Sequence, residues 1–387
     1  MAKKKKKRTK SNVARVFSPE ANLKRSIRRH FTRLGFTKAD DGTLVRPDGG
    51  KDIVRELHAA QRAERLEANA DFLADFMPHA APYFASGAEI DPTKIRLSLY
   101  RVDANTFEAD LFRLASMTWS VPVSNGYGRR LRYLVWDDHH DRLSGIAALG
   151  DPVFNLSVRD NLIGWNAEDR GHRLVNLLDA YVLGAIPPYN MLLGGKAVAC
   201  LLRTRRVYDD FTRTYGGTEG IISGERKNAR LLAITTSSSM GRSSVYNRLK
   251  LGGEEYFTSI GYTVGWGHFH ITDHLFGQIR EYLRLIKHPY ADRHRFGQGP
   301  NWRMRTIRAG LRELGVNESV LRHGIQREVF LSCYATNALR ILANGKGRPN
   351  LSTLRDVDEV AELARERWIA PRALRRPEFA DWRREDI

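Results

Sequence analysis

The sequence predicts an α/β protein, with a mixed sheet in the middle of the chain and helical regions on both sides of it. Three observations predict this class. Short apolar runs separated by turn residues occupy the middle of the chain, from about residue 131 to residue 271. Apolar residues recur at helical spacing before and after them, over 21–77 and 275–368. Loops that contain glycine join the two kinds of segment, as is typical where a strand runs into a helix.

The charge of the chain points to an anionic partner. The formal net charge is +19, and seven of the positive charges lie in the first ten residues. Without those seven the net charge is still +12, so the basic excess belongs to the folded part as well. Such a field attracts anions and speeds their encounter. It favours nucleic acid, most of all DNA, over acidic proteins or anionic lipids.

Apolar runs and cysteine usage indicate the compartment. No apolar run reaches the roughly 18 residues that a membrane span needs, and the start MAKKKKKRTK lacks the apolar segment of a secretory signal. The two cysteines, Cys200 and Cys333, are too few for a disulfide framework or a zinc site. The sequence therefore predicts a cytoplasmic protein with no membrane partner.

A disordered basic tail and two helices are predicted for the N-terminal part of the chain. Residues 1–20 hold the lysine run and form the tail. Residues 21–36 and 50–77 each place apolar residues on one helical face, and turn residues join them. We therefore assign 21–90 to a helical N-terminal region.

The predicted sheet lies in a core that extends over residues 91–275. Period-two patterns and turn residues separate its elements. In chain order, these are hairpin strands 131–136 and 143–149, an apolar run 177–186, a helix after Gly194, a strand 231–236, a helix opened by the loop 237–251, and a strand pair 256–271.

A basic helical region, 276–387, is predicted to follow the core. Helices are expected at 275–286, 301–314 and 353–368. The residues after 370 are expected to form a surface tail.

The first candidate ligand site is the glycine pair in Leu193-Gly194-Gly195-Lys196. Glycines at the start of a helix let the backbone approach a ligand closely, and the free N–H groups of the first turn point at an anion. Lys196 adds a positive charge there. The pattern has neither the P-loop spacing nor the dinucleotide fingerprint. A phosphate cradle and a glycine pair that only permits tight packing therefore both remain open.

A second candidate ligand site follows at residues 237–248. Arg242 and Ser243 stand at the predicted helix start, where an arginine can hold a phosphate and a serine can cap the helix. Tyr246 and Asn247 follow one turn later, where a phenol can serve as a general acid. A capped helix start without any chemistry is the alternative.

The order of these elements is similar to that of the GNAT acetyltransferase superfamily. In that superfamily a hairpin precedes a strand, a glycine loop that holds the pyrophosphate of an acyl-coenzyme A, and a helix. A later helix carries a Tyr or Asn before a terminal Gly-Phe or Gly-Tyr. Residues Leu193–Ala197 stand where the glycine loop would be, and Tyr246, Asn247 and Gly261-Tyr262 match the later part. The loop departs from the usual pattern, which is led by arginine or glutamine.

The GNAT resemblance implies a cofactor and a set of site residues. It implies a GNAT-like sheet core that binds acetyl-coenzyme A or a related cofactor. It implies Tyr246 and Asn247 as catalytic groups, and Gly194, Gly195 and Lys196 as cofactor-binding groups. Arg242 and Ser243 join the cofactor-binding candidates because they stand at the predicted helix start.

Candidate nucleic-acid contacts are arginines in two segments that also contain aromatic residues. The planar fork of the guanidinium matches phosphate oxygens, and arginines at helical spacing line one face. An ordinary solvated surface is the alternative. The candidates are Arg129 and Arg130 within 126–132, and Arg303, Arg305, Arg308 and Arg312 within 301–312.

Two further groups are weaker candidates. Arg159-Asp160 beside Trp165 fits either the rim of a site or a structural ion pair. His268 and His270 share one face of a predicted strand, but the sequence places no third ligand, so no metal site is predicted.

Several long stretches between about residue 22 and residue 340 are specific enough to compare with known families. They are LGF and KDIVRELH of the N-terminal helix pair, LFRLASMTWSVPVSNGYGRRLRYLVWD, LGDPVFNLSVRDNLIGW, AIPPYNMLLGGK, MGRSSVYNRL, GYTVGWGHFH and RFGQGPNWRMR. These stretches resemble the DruA family of the Druantia anti-phage defence systems. The resemblance implies a bacterial protein associated with defence or with mobile elements, and it implies no catalytic residue.

Three functional hypotheses follow. The first is a DNA-binding component of a defence system that contacts DNA through its arginine-rich faces and works with other defence subunits. The second is a GNAT-like transferase that modifies a nucleic acid base or an amine. The third is a structural protein that bridges a helicase-type subunit to DNA. The arginine-rich faces favour the first.

Overall fold

The computed structural model describes residues 18–39, 44–45, 51–124, 126, 128–217, 228–263, 265–292, 302–322 and 325–387. The predicted basic tail lies outside the described residues up to residue 17. The chain divides into two compact units, one of residues 1–47 with 271–321 and one of residues 48–270 with 322–387. The domain boundaries expected near residues 20, 90 and 275 stay predictions, because compactness alone does not show which segments fold independently.

Helices and strands alternate along the described residues. The helices are α1 (Pro19–Arg33), α2 (Lys51–Glu67), α3 (Ala70–Ala80), α4 (Phe107–Met117), α5 (Ser157–Ile163), α6 (Ala167–Arg173), α7 (Gly194–Leu201), α8 (Arg205–Tyr215), α9 (Asp273–Leu285), α10 (Trp302–Glu313), α11 (Ala338–Asn344), α12 (Val357–Ala364) and α13 (Ala370–Arg375). The strands are β1 (Thr37–Lys38), β2 (Leu44–Val45), β3 (Leu97–Arg101), β4 (Arg130–Asp137), β5 (Arg142–Gly150), β6 (Leu177–Ala185), β7 (Ala233–Ser237), β8 (Leu249–Leu251), β9 (Glu254–Tyr262) and β10 (Glu328–Cys333).

The smaller unit contains α1, α9, α10 and the β1–β2 hairpin. Ser18 caps α1 by accepting the Ala21 N–H, and Leu23, Ile27 and Phe31 form the buried stripe that the sequence predicts. Helix α9 packs against both α1 and α10. A side chain at Gly310 of α10 would bring its Cβ to 2.4 Å from Ile279 of α9, so glycine permits this close helix contact.

The larger unit contains an eight-stranded mixed sheet in the order β3-β4-β5-β6-β7-β10-β9-β8. The predicted hairpin is present as β4 and β5, with Leu131 opposite Leu149. The pair β6 and β7 is parallel, and the neighbouring pairs β5–β6 and β7–β10 are antiparallel. Helices flank this sheet, so the predicted α/β class with a mixed sheet is confirmed.

A parallel strand pair needs a crossover connection, and α7 and α8 lie in it. Helix α7 lies against β6 and β5 and is buried along most of its length. The helix that the sequence predicts after the Pro187-Pro188 pair is therefore present, and its first residue is Gly194.

Three local predictions are wrong. The helix expected directly after Ser243 does not form, because the chain turns at Arg248, whose φ is +55°, and continues as β8. No strand forms over 266–271, so His268 and His270 do not share a strand face. The residues after 370 are not a loose tail, since Phe379 is buried and Gly87 donates its N–H to the Trp382 oxygen at 2.8 Å.

Among the described residues, no helix is both long enough and apolar enough to cross a membrane.

Candidate functional site

The start of α7 is the first candidate ligand site, and close backbone contacts shape it. Gly194 donates its N–H to the main-chain oxygen of Tyr189 at 2.9 Å, and a Cβ at Gly194 would lie 2.6 Å from that oxygen. Lys196 donates its N–H to the Leu193 oxygen at 2.9 Å. Two of the N–H groups expected to point at an anion are thus bonded within the chain.

Lys196 directs its charge at an aromatic ring. Its ammonium nitrogen lies 5.7 Å from the centroid of the Trp368 indole, a cation–π distance. Trp368 is buried in the π-helical turn that follows α12. The lysine that the sequence places at a phosphate therefore contacts an indole in this structure.

The gap between β6 and β7 is the second part of the candidate site. These strands pair over three positions only, Leu177–Asp179 with Ala233–Thr235, although β6 continues to residue 185. At the next position a side chain replaces the backbone pairing, because Thr236 donates its hydroxyl to the Ala180 oxygen at 2.9 Å. Where two strands of a sheet diverge, a crevice opens at their carboxyl ends.

Residues 243–246 fill this crevice. Tyr246 donates its hydroxyl to the Leu183 oxygen of β6 at 3.3 Å. Its ring packs against Phe257 and Phe330, with centroids 5.4 Å and 5.3 Å away. Burial raises the pKa of the Tyr246 phenol well above its usual range. The side chain of Val245 lies where a Cβ on Gly195 would contact it, at 3.8 Å.

A buried carboxylate holds this segment. Glu328 accepts the Ser243 N–H at 3.1 Å and the Ser259 hydroxyl at 2.9 Å, and its N–H donates to the Gly241 oxygen at 3.2 Å. The Ser243 hydroxyl accepts the N–H of Val245 at 3.1 Å. The Ser243 hydroxyl thus accepts main-chain N–H groups as a capping serine does, but it does so in a turn and not at the start of a helix.

The predicted site residues have different surroundings. Ser243 and Tyr246 lie in the segment that fills the crevice, where the Ser243 hydroxyl accepts the Tyr246 N–H at 3.2 Å. Gly195 lies near this segment through Val245. Arg242 is exposed and Asn247 is partly buried, and within the described part of the chain neither makes a hydrogen bond or an ion pair. The cofactor-binding and catalytic roles assigned to this group stay predictions.

Sequence reasoning missed two acidic residues near the crevice. Glu328 is one, and Asp179 of β6 is the other. Asp179 accepts the Thr235 hydroxyl at 2.6 Å, and burial raises the pKa of its carboxyl to about 6. Both stand alone in otherwise apolar strands, LLDAYVLGA and EVFLSC, and this is the signal that points to them.

Arg159 and Asp160 form a buried ion pair in α5. The Arg159 Nη2 lies 2.7 Å from the Asp160 carboxylate, and the same guanidinium donates to the oxygens of Val153 and Phe154 at 2.9 Å and 3.0 Å. Arg159 is fully buried. Of the two alternatives for this pair, the geometry favours the structural one.

Two of the predicted nucleic-acid contacts are engaged within the chain. Arg129 donates to Asp151 at 2.7 Å and to the oxygens of Val175 and Leu177 at 2.6 Å and 3.0 Å. Arg303 bonds to Asp273 and donates to the Ile271 oxygen at 2.8 Å. The donors of both guanidinium groups are therefore largely committed. Arg130 is exposed, and its side chain donates to the Gly126 oxygen at 3.2 Å.

The other three candidates lie on α10. Arg308 and Arg312 share the carboxylate of Glu318, each at 2.9 Å, so one of their two charges is balanced. Arg305 is exposed and has no ion pair within the described ranges. The face predicted for this helix thus presents net positive charge.

A further basic surface lies on α1. Arg28, Arg29 and Arg33 are exposed, and none of the three has an acidic partner in the described part of the chain. The one acidic residue of the helix, Glu20, pairs with Lys24 at 2.6 Å. Helix α1 therefore carries charge that the described residues leave unbalanced.

Within the described residues, no group of three or more His, Cys, Asp or Glu side chains is arranged to hold a metal ion.

Comparisons with known proteins give one consistent match. A family model with the description "Druantia protein DruA" matches residues 48–344, which include every strand of the eight-stranded sheet. A curated protein of Escherichia coli (strain UMEA 4076-1), also named "Druantia protein DruA", is 58% identical over 377 residues, which cover 97% of this chain and 93% of that protein. No solved structure matches the chain.

Proposed function

The chain belongs to the DruA family, and from this membership we propose that it is a nucleic-acid-binding component of a bacterial anti-phage defence system. It contacts DNA through arginine side chains and works together with other subunits of the defence system. Its place of action is the cytoplasm, where phage DNA enters.

The unbalanced arginine charge of α1 supports this proposal most directly. Several arginines among the described residues are paired with a carboxylate, as Arg159 and Arg303 are. Arg28, Arg29 and Arg33 instead face solvent on one short helix without an acidic partner among the described residues. Exposed guanidinium groups contribute most to the affinity for nucleic acid, because each phosphate that they neutralise releases its condensed counterions.

The experiment is a salt titration of binding to a DNA duplex. The triple variant Arg28→Ala, Arg29→Ala and Arg33→Ala is compared with the unchanged chain. If all three arginines contact phosphates, the slope of log affinity against log salt falls by about 3, since each phosphate contact contributes about 0.9. Affinity is expected to fall at every salt concentration.

A matched control removes the same charge elsewhere. Arg340, Arg367 and Arg383 are exposed and lack ion pairs in the described residues, and they belong to the larger unit. Their replacement by alanine is expected to leave the slope nearly unchanged. Equal losses in the two triple variants would mean that net charge alone sets the affinity, and the proposed contact would be wrong.

The transferase alternative has one feature in its favour. The β6–α7–β7 arrangement places a glycine-led helix beside a crevice between diverging parallel strands, which is a common position for ligands in α/β proteins. Val245 and Tyr246 occupy that crevice here. A GNAT-like activity therefore requires this segment to leave, and binding of nucleic acid does not.

A further inference from the structure

A cavity of about 470 Å³ lies in the larger unit, on the face of the sheet formed by β9 and β10. It is separate from the crevice between β6 and β7, because none of the residues 243–246 lines it. Cavities of several hundred cubic ångströms are typical of small-molecule sites.

One end of the cavity is apolar. Ile260 and Leu331 on adjacent strands form its floor, while Leu162 of α5 and Leu339 of α11 also line it. The cavity is open to solvent at this end, and these two leucines are 48% and 39% exposed. Covering exposed apolar side chains around a cavity with a flat apolar ligand removes their surface from water and so favours binding.

The other end is polar and carries both a donor and acceptors. The buried Arg203 donates to the main-chain oxygen of Glu255 at 3.2 Å and to the Thr353 hydroxyl at 2.8 Å. Its Nε–H is buried without an acceptor in the described part of the chain. The carboxylate of Glu254 lies 3.8 Å from the same guanidinium.

The balance of charge at this end decides the class of ligand. A free anion would meet Arg203 but would be repelled by Glu254, whose carboxylate already faces the guanidinium. A neutral group that accepts from the arginine and donates to a carboxylate or a main-chain oxygen satisfies both. The edges of nucleobases carry acceptors and donors side by side, and their rings are flat and apolar on both faces.

We propose that this cavity binds a nucleobase, with the base edge toward Arg203 and Glu254 and the ring or sugar against the apolar end. The base comes either from a free nucleoside or from an unpaired position in a nucleic acid. Only the second source rests on the proposed function, since an enzyme or a binding protein reads an unpaired base by the same edge contacts.

Cys333 gives a direct readout. It lines the cavity and is partly exposed, whereas Cys200, the other cysteine of the chain, is fully buried. Alkylation by a maleimide is followed at each cysteine by mass spectrometry. A base in the cavity covers the Cys333 thiol and slows its reaction, and Cys200 stays unlabelled as long as the fold is intact.

Two kinds of probe separate the two sources. The first is each of the four free ribonucleosides, and the second is a DNA duplex with one unpaired base beside the same duplex fully paired. At about ten times the dissociation constant, mass action leaves roughly a tenth of the cavities open, so labelling of Cys333 is expected to slow about tenfold.

A blocking variant and its control complete the test. Thr258→Trp places a large side chain into the cavity from an exposed position of β9, where aromatic residues are well tolerated. Thr212→Trp makes the same exchange at an exposed position of α8 that does not line the cavity. Ligand protection of Cys333 should disappear in the first variant and persist in the second.

The outcomes distinguish this proposal from the proposed function. Protection by a nucleoside or by the unpaired base, lost in Thr258→Trp only, supports the cavity as a base site. Absence of protection by every probe overturns it, even if the salt titration shows duplex binding. Protection by free nucleosides without any duplex binding would keep the base site and contradict the proposed function.

Discussion

Tyr246 donates its hydroxyl to the main-chain oxygen of Leu183 across 3.3 Å, and so joins the segment after β7 to the far part of β6. The two strands have already separated at this level, because their pairing ends at Asp179 and Thr235. One aromatic side chain thus fills the space that backbone pairing would otherwise close. The stability of the sheet at this point depends on Tyr246, and the adjacent Val245 lies beside Gly195 at the start of α7.

Replacing Tyr246 should therefore cost stability in two steps. Tyr246→Phe removes one hydrogen bond and is expected to lower the free energy of unfolding by about 1 kcal/mol. Tyr246→Ala also removes the ring between Phe257 and Phe330 and should cost about 3–5 kcal/mol. Denaturant unfolding measures both. The same exchanges at the exposed Tyr262 should stay within about 0.5 kcal/mol, and similar losses at the two positions would contradict the packing role.

The filled crevice also predicts the response to acetyl-coenzyme A. A specific ligand at about 100 times its dissociation constant stabilises a fold by roughly 2.7 kcal/mol, which a thermal shift detects. We expect no shift beyond that of pyrophosphate, because Val245 lies next to Gly195 and Tyr246 fills the crevice between β6 and β7. A shift specific to the coenzyme and lost in Gly195→Trp would instead establish the cofactor site that the GNAT resemblance implies.

Patterns of apolar residues predicted much of this fold because they are local. The stripe of Leu23, Ile27 and Phe31 and the hairpin β4–β5 follow from periodicity and turn residues alone. The missing helix after Ser243 shows the limit, since a long-range bond from the Ser243 N–H to Glu328 holds the segment in a turn. Local capping chemistry is the same in both cases, so the sequence does not distinguish them.

The basic surfaces were predictable only in part for a similar reason. Arginine content and helical spacing are visible in the sequence, but the partner of each guanidinium is not. Arg129 and Arg303 form ion pairs with Asp151 and Asp273, which lie 22 and 30 positions away along the chain. Exposed arginines such as Arg28 and Arg305 have the same local signature, and only the tertiary contacts separate the two groups.

The buried ion pair of α5 predicts a large loss of stability. Arg159→Met leaves one oxygen of the Asp160 carboxylate and the main-chain oxygens of Val153 and Phe154 without a donor, while the other Asp160 oxygen keeps Arg170. Breaking a buried pair in this way costs about 3 kcal/mol, the lower end of the usual range, because Arg170 still pairs with the carboxylate. The exposed pair of Arg365 with Glu362 is the control, and Arg365→Met should cost at most about 1 kcal/mol. Denaturant unfolding of the two variants, if it gave equal losses, would contradict a structural role for Arg159.

His58 predicts how stability depends on pH. Burial and the nearby positive charge of Arg327 lower the pKa of the imidazole from 6.5 to about 4. Between these values the unfolded chain binds a proton that the folded chain does not, so stability is lost as the pH falls, by up to about 3 kcal/mol. His58→Phe should remove this loss. Unfolding at about pH 7 and about pH 4.5 checks it, and an equal pH dependence in both chains would contradict it.

Asp179 has the opposite sign and serves as the internal comparison for that titration. Its folded-state pKa of about 6 lies above the ordinary value of 3.8, so the folded chain binds the proton first as the pH falls. Protonation then adds stability between about pH 6 and about pH 4. Asp179→Asn should remove this gain and make the acid loss steeper, whereas His58→Phe makes it shallower.

Arg303 and Arg305 on α10 predict a separation between stability and nucleic-acid affinity. Arg303 bonds to Asp273 and to the Ile271 oxygen, and its guanidinium lies 4.4 Å from the Phe276 ring centroid, so Arg303→Ala should cost about 1.5–3 kcal/mol of stability. Arg305 is exposed without an ion pair in the described ranges, so Arg305→Ala should change stability by less than about 0.5 kcal/mol. If Arg305 contacts a phosphate, its loss lowers the salt slope of DNA binding by about 1. An unchanged slope in Arg305→Ala, measured on protein with unchanged stability, would remove Arg305 from the proposed interface.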